Sequence, residues 1–273
     1  MNISFYDNEF EEGLERLKNR TSESLDKPAK KSENNSYDET IINTSIPGNE
    51  IVDMVKNAMN NTGAQTGIRM LFYGVSGAGK TALGKYIAKS INKTLIKKNA
   101  SEIMGQYTGQ TEKGIATAFK EAKDKDAVLL FDEVDSFIYN RSDNFHSWEL
   151  SNVNEFLMQM EDFNGILICT TNFKNVLDNA TFRRFHICVE FKALKKEGTQ
   201  TLLSKYFPEY NFSEEQKEKL FHLDTITPGD FAILSERLRF VNQKNHTASY
   251  VTEQLCHLQE EKSNGTKIIG FGF

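Results

Sequence analysis

The sequence predicts an α/β domain built around a parallel sheet and followed by a helical subdomain. Three observations lead to this prediction. Apolar runs of strand length alternate with amphipathic helical patterns up to residue 193, which favours a parallel sheet covered on both faces. A glycine-rich loop separates the first of these runs from a helical pattern. Beyond residue 194 the strand patterns stop, and four helical stretches follow at about 195–206, 213–222, 228–242 and 249–262.

The elements of the α/β part can be placed in order from periodicity alone. A first amphipathic helix begins near Pro47, because apolar residues recur at helical spacing from Ile51 to Met59. The strand candidates are residues 70–73, 94–99, 127–131, 165–172 and 186–191. The helices between them are expected at about 83–91, 112–122 and 148–160.

The composition indicates which parts of the chain can form a folded core. Hydrophobic residues make up 38% of the 273 residues, which is enough for a real core, whereas residues 19–45 are too polar to order themselves. We therefore expect a flexible polar arm over residues 1–45, an α/β domain over 46–193 and a helical subdomain over 194–273. The net charge of −5 argues against a general nucleic-acid binder.

The same composition bears on the compartment. No apolar run approaches the roughly 20 residues of a membrane span, so we expect no such span. The N-terminus has no signal-peptide pattern, and the three cysteines form no C-x-x-C motif. These features together are typical of a cytoplasmic protein.

The glycine-rich loop has the pattern G-x-x-x-x-G-K-T that binds nucleotide phosphates. Glycines let the backbone approach the phosphates, and the amides at the start of the next helix favour an anion. The lysine adds a point charge on the β- and γ-phosphates, and the threonine hydroxyl can bind Mg²⁺. The predicted phosphate loop consists of Gly74, Val75, Ser76, Gly77, Ala78, Gly79, Lys80 and Thr81.

Two acidic residues follow the apolar run at 128–131. Asp132 can hold Mg²⁺ through water, and Glu133 can orient or deprotonate the attacking water. A charged pair that closes a strand is common, but beside a phosphate loop the pair Asp-Glu indicates hydrolysis rather than binding alone. Asn172 ends the next apolar strand. If the two strands are neighbours, its amide can contact the same water, although an asparagine there is also a usual turn residue.

Arg183 and Arg184 precede the last strand candidate. Arginine stabilises the charge that develops on a transferring phosphoryl group, so we predict a catalytic role. Adjacent arginines are also common as a solvated surface pair, and the residue pattern alone leaves both interpretations open.

Taken together, these motifs resemble those of the AAA+ ATPases, and most closely those of the AAA clade. The resemblance runs from about residue 47 to the C-terminus. GVSGAGKT and LLFDEVDSF resemble the two nucleotide motifs, ICTTN the sensor-1 strand, LDNATFRRF the arginine-finger segment and ITPGDF the sensor-2 helix. Val75 and Ser76 stand where many relatives have prolines, and the adjacency of the two arginines leaves open which one is the finger.

The resemblance implies a five-stranded parallel α/β domain with a four-helix lid and with ATP and Mg²⁺ between them. It also implies a ring, usually a homo-hexamer, in which the two arginines act on a neighbour's γ-phosphate. Gly229 and Asp230 would lie in the lid near the nucleotide.

The stretch MGQYTGQTEKG at 104–114 resembles the first pore loop of AAA unfoldases. Tyr107, Thr108 and Gly109 would then contact a protein substrate. An ordinary loop with one surface tyrosine is also compatible with this sequence. Residues 141–148 occupy the place of a second pore loop.

The leading hypothesis is a Mg²⁺-dependent ATPase ring that remodels, unfolds or disassembles a protein through an axial pore, with an unidentified substrate or adaptor. One alternative is an AAA+ ATPase acting on nucleic-acid complexes, which the acidic charge disfavours, and another is a nucleotide-gated scaffold without threading. A GTPase switch is excluded because no N-K-x-D motif occurs. The Asp-Glu and Arg-Arg pairs together disfavour a small-molecule kinase.

Overall fold

The structure, a computed structural model, describes residues 38–61, 67–105, 109–136, 147–172, 179–242, 244 and 246–263. The first 37 residues of the predicted polar arm lie outside this part of the chain. The strands are β1 (Asn43–Thr44), β2 (Ile68–Gly74), β3 (Leu95–Asn99), β4 (Val128–Asp132), β5 (Ile166–Thr171) and β6 (Ile187–Lys192). The α-helices are α1 (Gly48–Asn60), α2 (Lys80–Ser90), α3 (Ala100–Ile103), α4 (Gln110–Asp124), α5 (Ser147–Asp162), α6 (Asn179–Phe182), α7 (Lys196–Tyr206), α8 (Glu214–Phe221), α9 (Pro228–Leu238) and α10 (Ala248–Ser263). Short 3₁₀ helices cover Glu39–Ile41 and Val134–Ser136.

The strands form one six-stranded sheet in the order β1-β6-β2-β5-β4-β3. The five strands from β2 to β6 pair in parallel, which confirms the predicted parallel sheet. The short strand β1 adds an antiparallel edge beside β6 and was not predicted. Because β5 lies between β2 and β4, the carboxyl ends of these three strands meet at one edge of the sheet.

Both faces of the sheet are covered by helices, and the side chains of each strand point to the two faces in turn. In β4, Val128 and Leu130 pack on the face covered by α1 and α2, whereas Leu129 and Phe131 pack on the face covered by α4 and α5. On this second face the rings of Phe119 and Phe131 lie 5.4 Å apart. Burial on both sides explains why β4 reads as a continuous apolar run rather than an alternating one.

The helices α7 to α10 have a core of their own. Phe207 and Phe231 are buried at its centre, with ring centroids 6.3 Å apart. Leu234 of α9 and Leu255 of α10 complete the same cluster. The bounds of α7, α8 and α10 lie within one residue of the predicted stretches, whereas α9 ends at Leu238 and not at 242.

The predicted boundary of the polar arm at residue 45 is wrong for the described residues 38–45. Ile42 packs against the core of the sheet, and Ile41 packs against the core of the helices α7 to α10. The side-chain amide of Asn43 donates to the carbonyl of Ala193 at 2.6 Å, and the backbone N–H of Ser45 donates to the carbonyl of Glu190 at 2.9 Å. The average composition of the segment is polar, but it contains two adjacent isoleucines, each of which packs against one of the two cores.

Among the described residues, no helix combines the length and hydrophobicity needed to cross a membrane.

Candidate nucleotide-hydrolysis site

The phosphate loop connects the buried strand β2 to the helix α2. Gly79 precedes the helix with a φ of 98°, in the left-handed region that favours glycine. At Gly74, with φ 122°, a Cβ atom would lie 2.1 Å from the carbonyl oxygen of Phe191. The loop thus lies between β6 and the start of α2. The amides of the first helical turn have no partners inside a helix and point toward the residues that precede it. Such a helix start favours an anion.

Lys80 is the first residue of α2 and is only 8% exposed. Its ammonium group donates to the backbone carbonyls of Gly74 and Val75, both at 2.9 Å. Burial lowers the pKa of Lys80 to about 8, although the carboxylates of Asp132 and Glu133 act in the opposite direction. The loop therefore holds a positive charge in its concave side, as binding of a polyphosphate requires.

Asp132, the last residue of β4, is contacted from three other elements. The hydroxyl of Thr81 in α2 donates to its Oδ2 at 3.1 Å, and the hydroxyl of Thr170 in β5 donates to its Oδ1. The ammonium of Lys97 in β3 lies 2.7 Å from Oδ2. Burial alone would raise the pKa of Asp132, but the lysine and the two hydroxyls outweigh it and hold the pKa below its usual value.

The residues at this point fit a magnesium ion. Thr81 and Asp132 place a hydroxyl and a carboxylate oxygen 3.1 Å apart, and both are hard oxygen donors. Within the part of the chain that the structure describes, no group of three or more His, Cys, Asp or Glu residues could hold a metal ion. Mg²⁺ commonly uses one or two protein ligands, water and substrate phosphates, so the nucleotide would supply the remaining ligands.

Glu133 follows β4 in a left-handed conformation, with a φ of 60°. A non-glycine residue in this region costs of order 1–3 kcal/mol and needs support from its surroundings. The support is a hydrogen bond from the backbone N–H of Glu133 to the hydroxyl of Thr170, at 3.2 Å. The side chain of Glu133 is exposed at the edge of the sheet where the phosphate loop lies.

Asn172 comes directly after β5, which pairs in parallel with β4. The condition on which its predicted role depended, that its strand lies beside the strand of Asp132, is therefore met. Asn172 is half-buried at the same edge of the sheet as Glu133.

Arg183 and Arg184 follow the short helix α6. They precede β6, whose extended backbone begins beside Arg69, where the N–H of His186 donates to the carbonyl of Arg69. From His186 to Phe191, the residue opposite Gly74, the strand runs roughly 16 Å at about 3.3 Å per residue. That length separates the start of β6 from the phosphate loop, whereas the ring of Phe182, next to Arg183, lies 5.8 Å from the ring of Tyr73, directly before Gly74.

The two arginines differ in their surroundings. Arg183 is exposed, whereas the guanidinium of Arg184 is paired with the carboxylate of Glu161 at the end of α5.

Gly229 and Asp230 form the first turn of α9 and have different contacts. The N–H of Gly229 donates to the carbonyl of Gly77 in the phosphate loop at 3.0 Å. Asp230 is 2% exposed, and its carboxylate accepts from the N–H of Thr227 at 2.8 Å and from the ammonium of Lys262 at 2.7 Å. Gly229 thus touches the predicted site directly, whereas the carboxylate of Asp230 is engaged by α9 and α10 and fixes the start of the helix.

Part of the predicted pore loop lies outside the described residues, namely Tyr107 and Thr108. Gly109 is described, and it precedes α4 with a φ of 83°. Of the second candidate loop, residues 141–146 also lie outside, and Ser147 begins α5.

Two residues of this site were not predicted as members of it, Thr170 and Lys97. Thr170 belongs to the run ICTTN, in which strand alternation gives the two threonines opposite faces. Lys97 is one of two adjacent lysines in β3, and its contact with Asp132 depends on the register between β3 and β4.

The fold and the site define a class: a phosphate-loop nucleotide-binding protein with a strand-end aspartate beside the loop threonine. Residues 70–193 match the family model described as AAA, "ATPase family associated with various cellular activities". The matched segment is an AAA ATPase domain.

Curated relatives share part of the chain at low identity. Spastin of Ixodes scapularis is 28% identical over 176 residues, which are 60% of this chain and 27% of that protein. The ATP-dependent zinc metalloprotease FtsH 2 of Thermoanaerobacter sp. (strain X514) is 33% identical over 140 residues, 49% of this chain and 28% of that protein. The matched segments thus cover about a quarter of the length of these relatives.

Solved structures share the fold. The crystal structure of the FIGL-1 AAA domain aligns with a TM-score of 0.57 at 19% identity, covering 78% of this chain and 81% of that one. The E. coli MS115-1 HORMA:CdnC:Trip13 complex aligns with a TM-score of 0.57 at 16% identity, covering 77% and 82%. At these identities the likeness concerns the fold alone.

Proposed function

We propose that this chain binds and hydrolyses ATP with Mg²⁺ and that it works in a ring that remodels a protein substrate. The observation that carries the proposal is the cluster around Asp132, in which Thr81 and Thr170 hold the carboxylate beside the phosphate loop. AAA family proteins are ATPases, and the family match supports the same activity here.

Each residue of the cluster then has a role. The amides of residues 74–81 and the ammonium of Lys80 bind the phosphates. Thr81 and Asp132 would hold the metal ion, which would offset the negative charge of the β- and γ-phosphates. Glu133 accepts the proton of the attacking water, and Asn172 orients that water by a hydrogen bond.

The position of the arginines supports an active site shared between two copies of the chain. Arg183 and Arg184 come before the amino end of β6, whereas the phosphate loop follows the carboxyl end of β2, and this arrangement favours action on the nucleotide of a neighbour. We propose that they stabilise charge on that neighbour's γ-phosphate, and that the neighbours close a homo-hexameric ring.

The helices α7 to α10 are proposed to act as a lid on the nucleotide. Support comes from the hydrogen bond between Gly229 and Gly77, which couples the start of α9 to the phosphate loop. Asp230 contributes by fixing that helix start, as a positioning residue rather than a phosphate ligand.

A protein is the proposed substrate, in the cytoplasm, with threading past Tyr107, Thr108 and Gly109. Spastin and FtsH 2 are among the relatives, and the net charge of −5 disfavours nucleic acid as a partner.

Capture of the substrate tests this proposal. Glu133→Gln, incubated with ATP and Mg²⁺, should form an assembly of constant subunit number by native mass spectrometry and retain co-purifying protein. The double variant Glu133→Gln, Tyr107→Ala should assemble equally but lose that protein. Equal capture by the two variants would contradict threading by this loop, and absence of any assembly would contradict the ring.

A further inference from the structure

Lys97 brings a second lysine to the site, beside the one in the phosphate loop. It lies in the edge strand β3, where it pairs with Leu130, and its side chain extends along the sheet toward Asp132 two residues further on. The ammonium lies 2.7 Å from Oδ2 of Asp132, and the two side chains are 39% and 16% exposed. The contact is therefore partly shielded from water, which makes it stronger than a fully exposed pair.

The neighbouring lysine shows that this contact is specific to one face of the sheet. Lys98 points to the other face, where its ammonium lies 2.8 Å from the carboxylate of Glu121 on α4. Side chains alternate along a strand, so only Lys97 can reach the site. Lys98 thus provides a matched control, a lysine one residue away with a carboxylate partner outside the site.

Oδ2 of Asp132 is the oxygen that the lysine shares with Thr81. This is the pair of residues that would hold the magnesium ion in the proposed function. An ammonium at 2.7 Å from a carboxylate occupies one of the directions from which a metal-bound water would approach. It also repels a divalent cation at that position, because the two like charges would lie within a few ångströms.

We propose that Lys97 is an internal competitor of the magnesium ion for Asp132. In the nucleotide-free protein its ammonium keeps the carboxylate in place and neutralised. Binding of Mg²⁺ with the nucleotide displaces the ammonium from Oδ2, so Lys97 sets the concentration of Mg²⁺ that tight nucleotide binding requires. This inference rests on the proposed function, since it concerns the metal that the same site would hold.

We expect Lys97 to affect two quantities, the Mg²⁺ concentration needed for nucleotide binding and the affinity for metal-free ATP. Removal of the charge in Lys97→Met should lower the Mg²⁺ concentration for half-maximal nucleotide binding by roughly 3- to 10-fold, the range of a partly exposed charge-assisted contact. The same substitution should weaken binding of metal-free ATP, because a positive charge near the phosphates is lost. The Lys98→Met variant should change neither quantity, and Lys97→Arg, which keeps the charge, should stay close to the parent protein.

The test is a fluorescence titration with a mant-labelled ATP at fixed protein concentration. Each protein is titrated with MgCl₂ after removal of metal, and the affinity in excess EDTA is measured separately; neither readout requires turnover. Thermal melting of each variant establishes that it is folded.

The outcomes separate this inference from the proposed function. A lower Mg²⁺ midpoint for Lys97→Met alone supports the inference. A midpoint that is unchanged or raised would overturn it, the latter because Lys97 would then support the loaded site. Failure of the parent protein to bind the nucleotide at any Mg²⁺ concentration would overturn the proposed function together with this inference.

Discussion

At the scale of single residues, one hydroxyl group supports both acidic residues of the candidate site. The hydroxyl of Thr170 donates to Asp132, and its oxygen accepts from the backbone N–H of Glu133. The proposed metal carboxylate and the proposed catalytic carboxylate are thereby fixed relative to each other. The left-handed backbone of Glu133 is a cost that this hydrogen bond offsets.

The arginine pair gives a prediction at the same scale. Arg184 is paired with Glu161, whereas Arg183 is exposed, so we expect Arg183 to be the residue that reaches a neighbour's phosphate. Arg183→Ala should leave ATP binding intact and lower turnover by roughly 10³-fold or more, the effect of a lost arginine finger. Arg184→Ala, the matched control, should lower turnover far less. Turnover and ATP affinity are measured on both variants.

The subunit contact of the arginine can be checked in mixtures. Arg183→Ala mixed with Glu133→Gln should regain part of the activity, because some interfaces then combine an intact arginine with an intact glutamate. A larger loss in Arg184→Ala than in Arg183→Ala would contradict this assignment. The absence of recovery in confirmed mixed assemblies would instead contradict an action between subunits.

At the scale of elements, the start of α9 rests on the phosphate loop. Thr227 and Asp230 form a capping box, and Pro228 occupies the first helical position. The side chains of Gln259 and Lys262 of α10 bind the same carboxylate, at 3.1 Å and 2.7 Å. The helix start is thus fixed from behind by α10, so its contact with the loop is well defined.

Gly229→Ala tests whether this contact matters for the nucleotide. A Cβ atom at Gly229 would lie 2.9 Å from the Cα of Gly77 and 3.3 Å from its carbonyl oxygen, and backbone atoms cannot rotate away. The substitution should move α9 off the loop at a cost of about 1–3 kcal/mol, typical of overpacking. We expect ATP affinity to fall roughly 10-fold, since about 1.4 kcal/mol is tenfold in affinity.

Isothermal titration with ATP and Mg²⁺ provides the measurement, and Ser235→Ala, a half-buried position further along α9, is the control. A Gly229→Ala variant that melts earlier but binds ATP with unchanged affinity would show that the contact stabilises the fold without supporting the site.

At the scale of the whole molecule, the sequence predicted those features that depend on residues close together in the chain. The continuous apolar run at 127–131 is such a case, and the strand β4 forms at Val128–Asp132. The motif residues Lys80, Thr81 and Asp132 could be assigned because their roles follow from their distance in sequence from the loop glycines and from the end of a strand. These three residues do meet in the structure.

The contacts that could not be predicted all depend on register between distant elements. The strand β1 is two residues long and gains its stability from β6 and from the packing of Ile41 and Ile42 on two different cores. The contact of Lys97 with Asp132 requires the exact pairing of β3 with β4, and the pairing of Arg184 with Glu161 requires α5 to end beside α6. No pattern within a single segment carries this information.

The central claim is that this site hydrolyses ATP with Glu133 as the residue that activates water. The most direct test measures ATP affinity and ATP turnover on the same preparations of the parent protein, Glu133→Gln and Lys80→Ala. The parent protein should convert ATP to ADP and phosphate in the presence of Mg²⁺. Lys80→Ala should lose binding, because it removes the charge inside the phosphate loop.

Glu133→Gln is the decisive variant, because glutamine keeps the shape of the side chain and cannot accept the proton. It should bind ATP as tightly as the parent protein, while turnover falls by roughly 10²–10⁴-fold, the usual contribution of a general base. Turnover at the parental rate in Glu133→Gln, with ATP binding intact, would contradict the account.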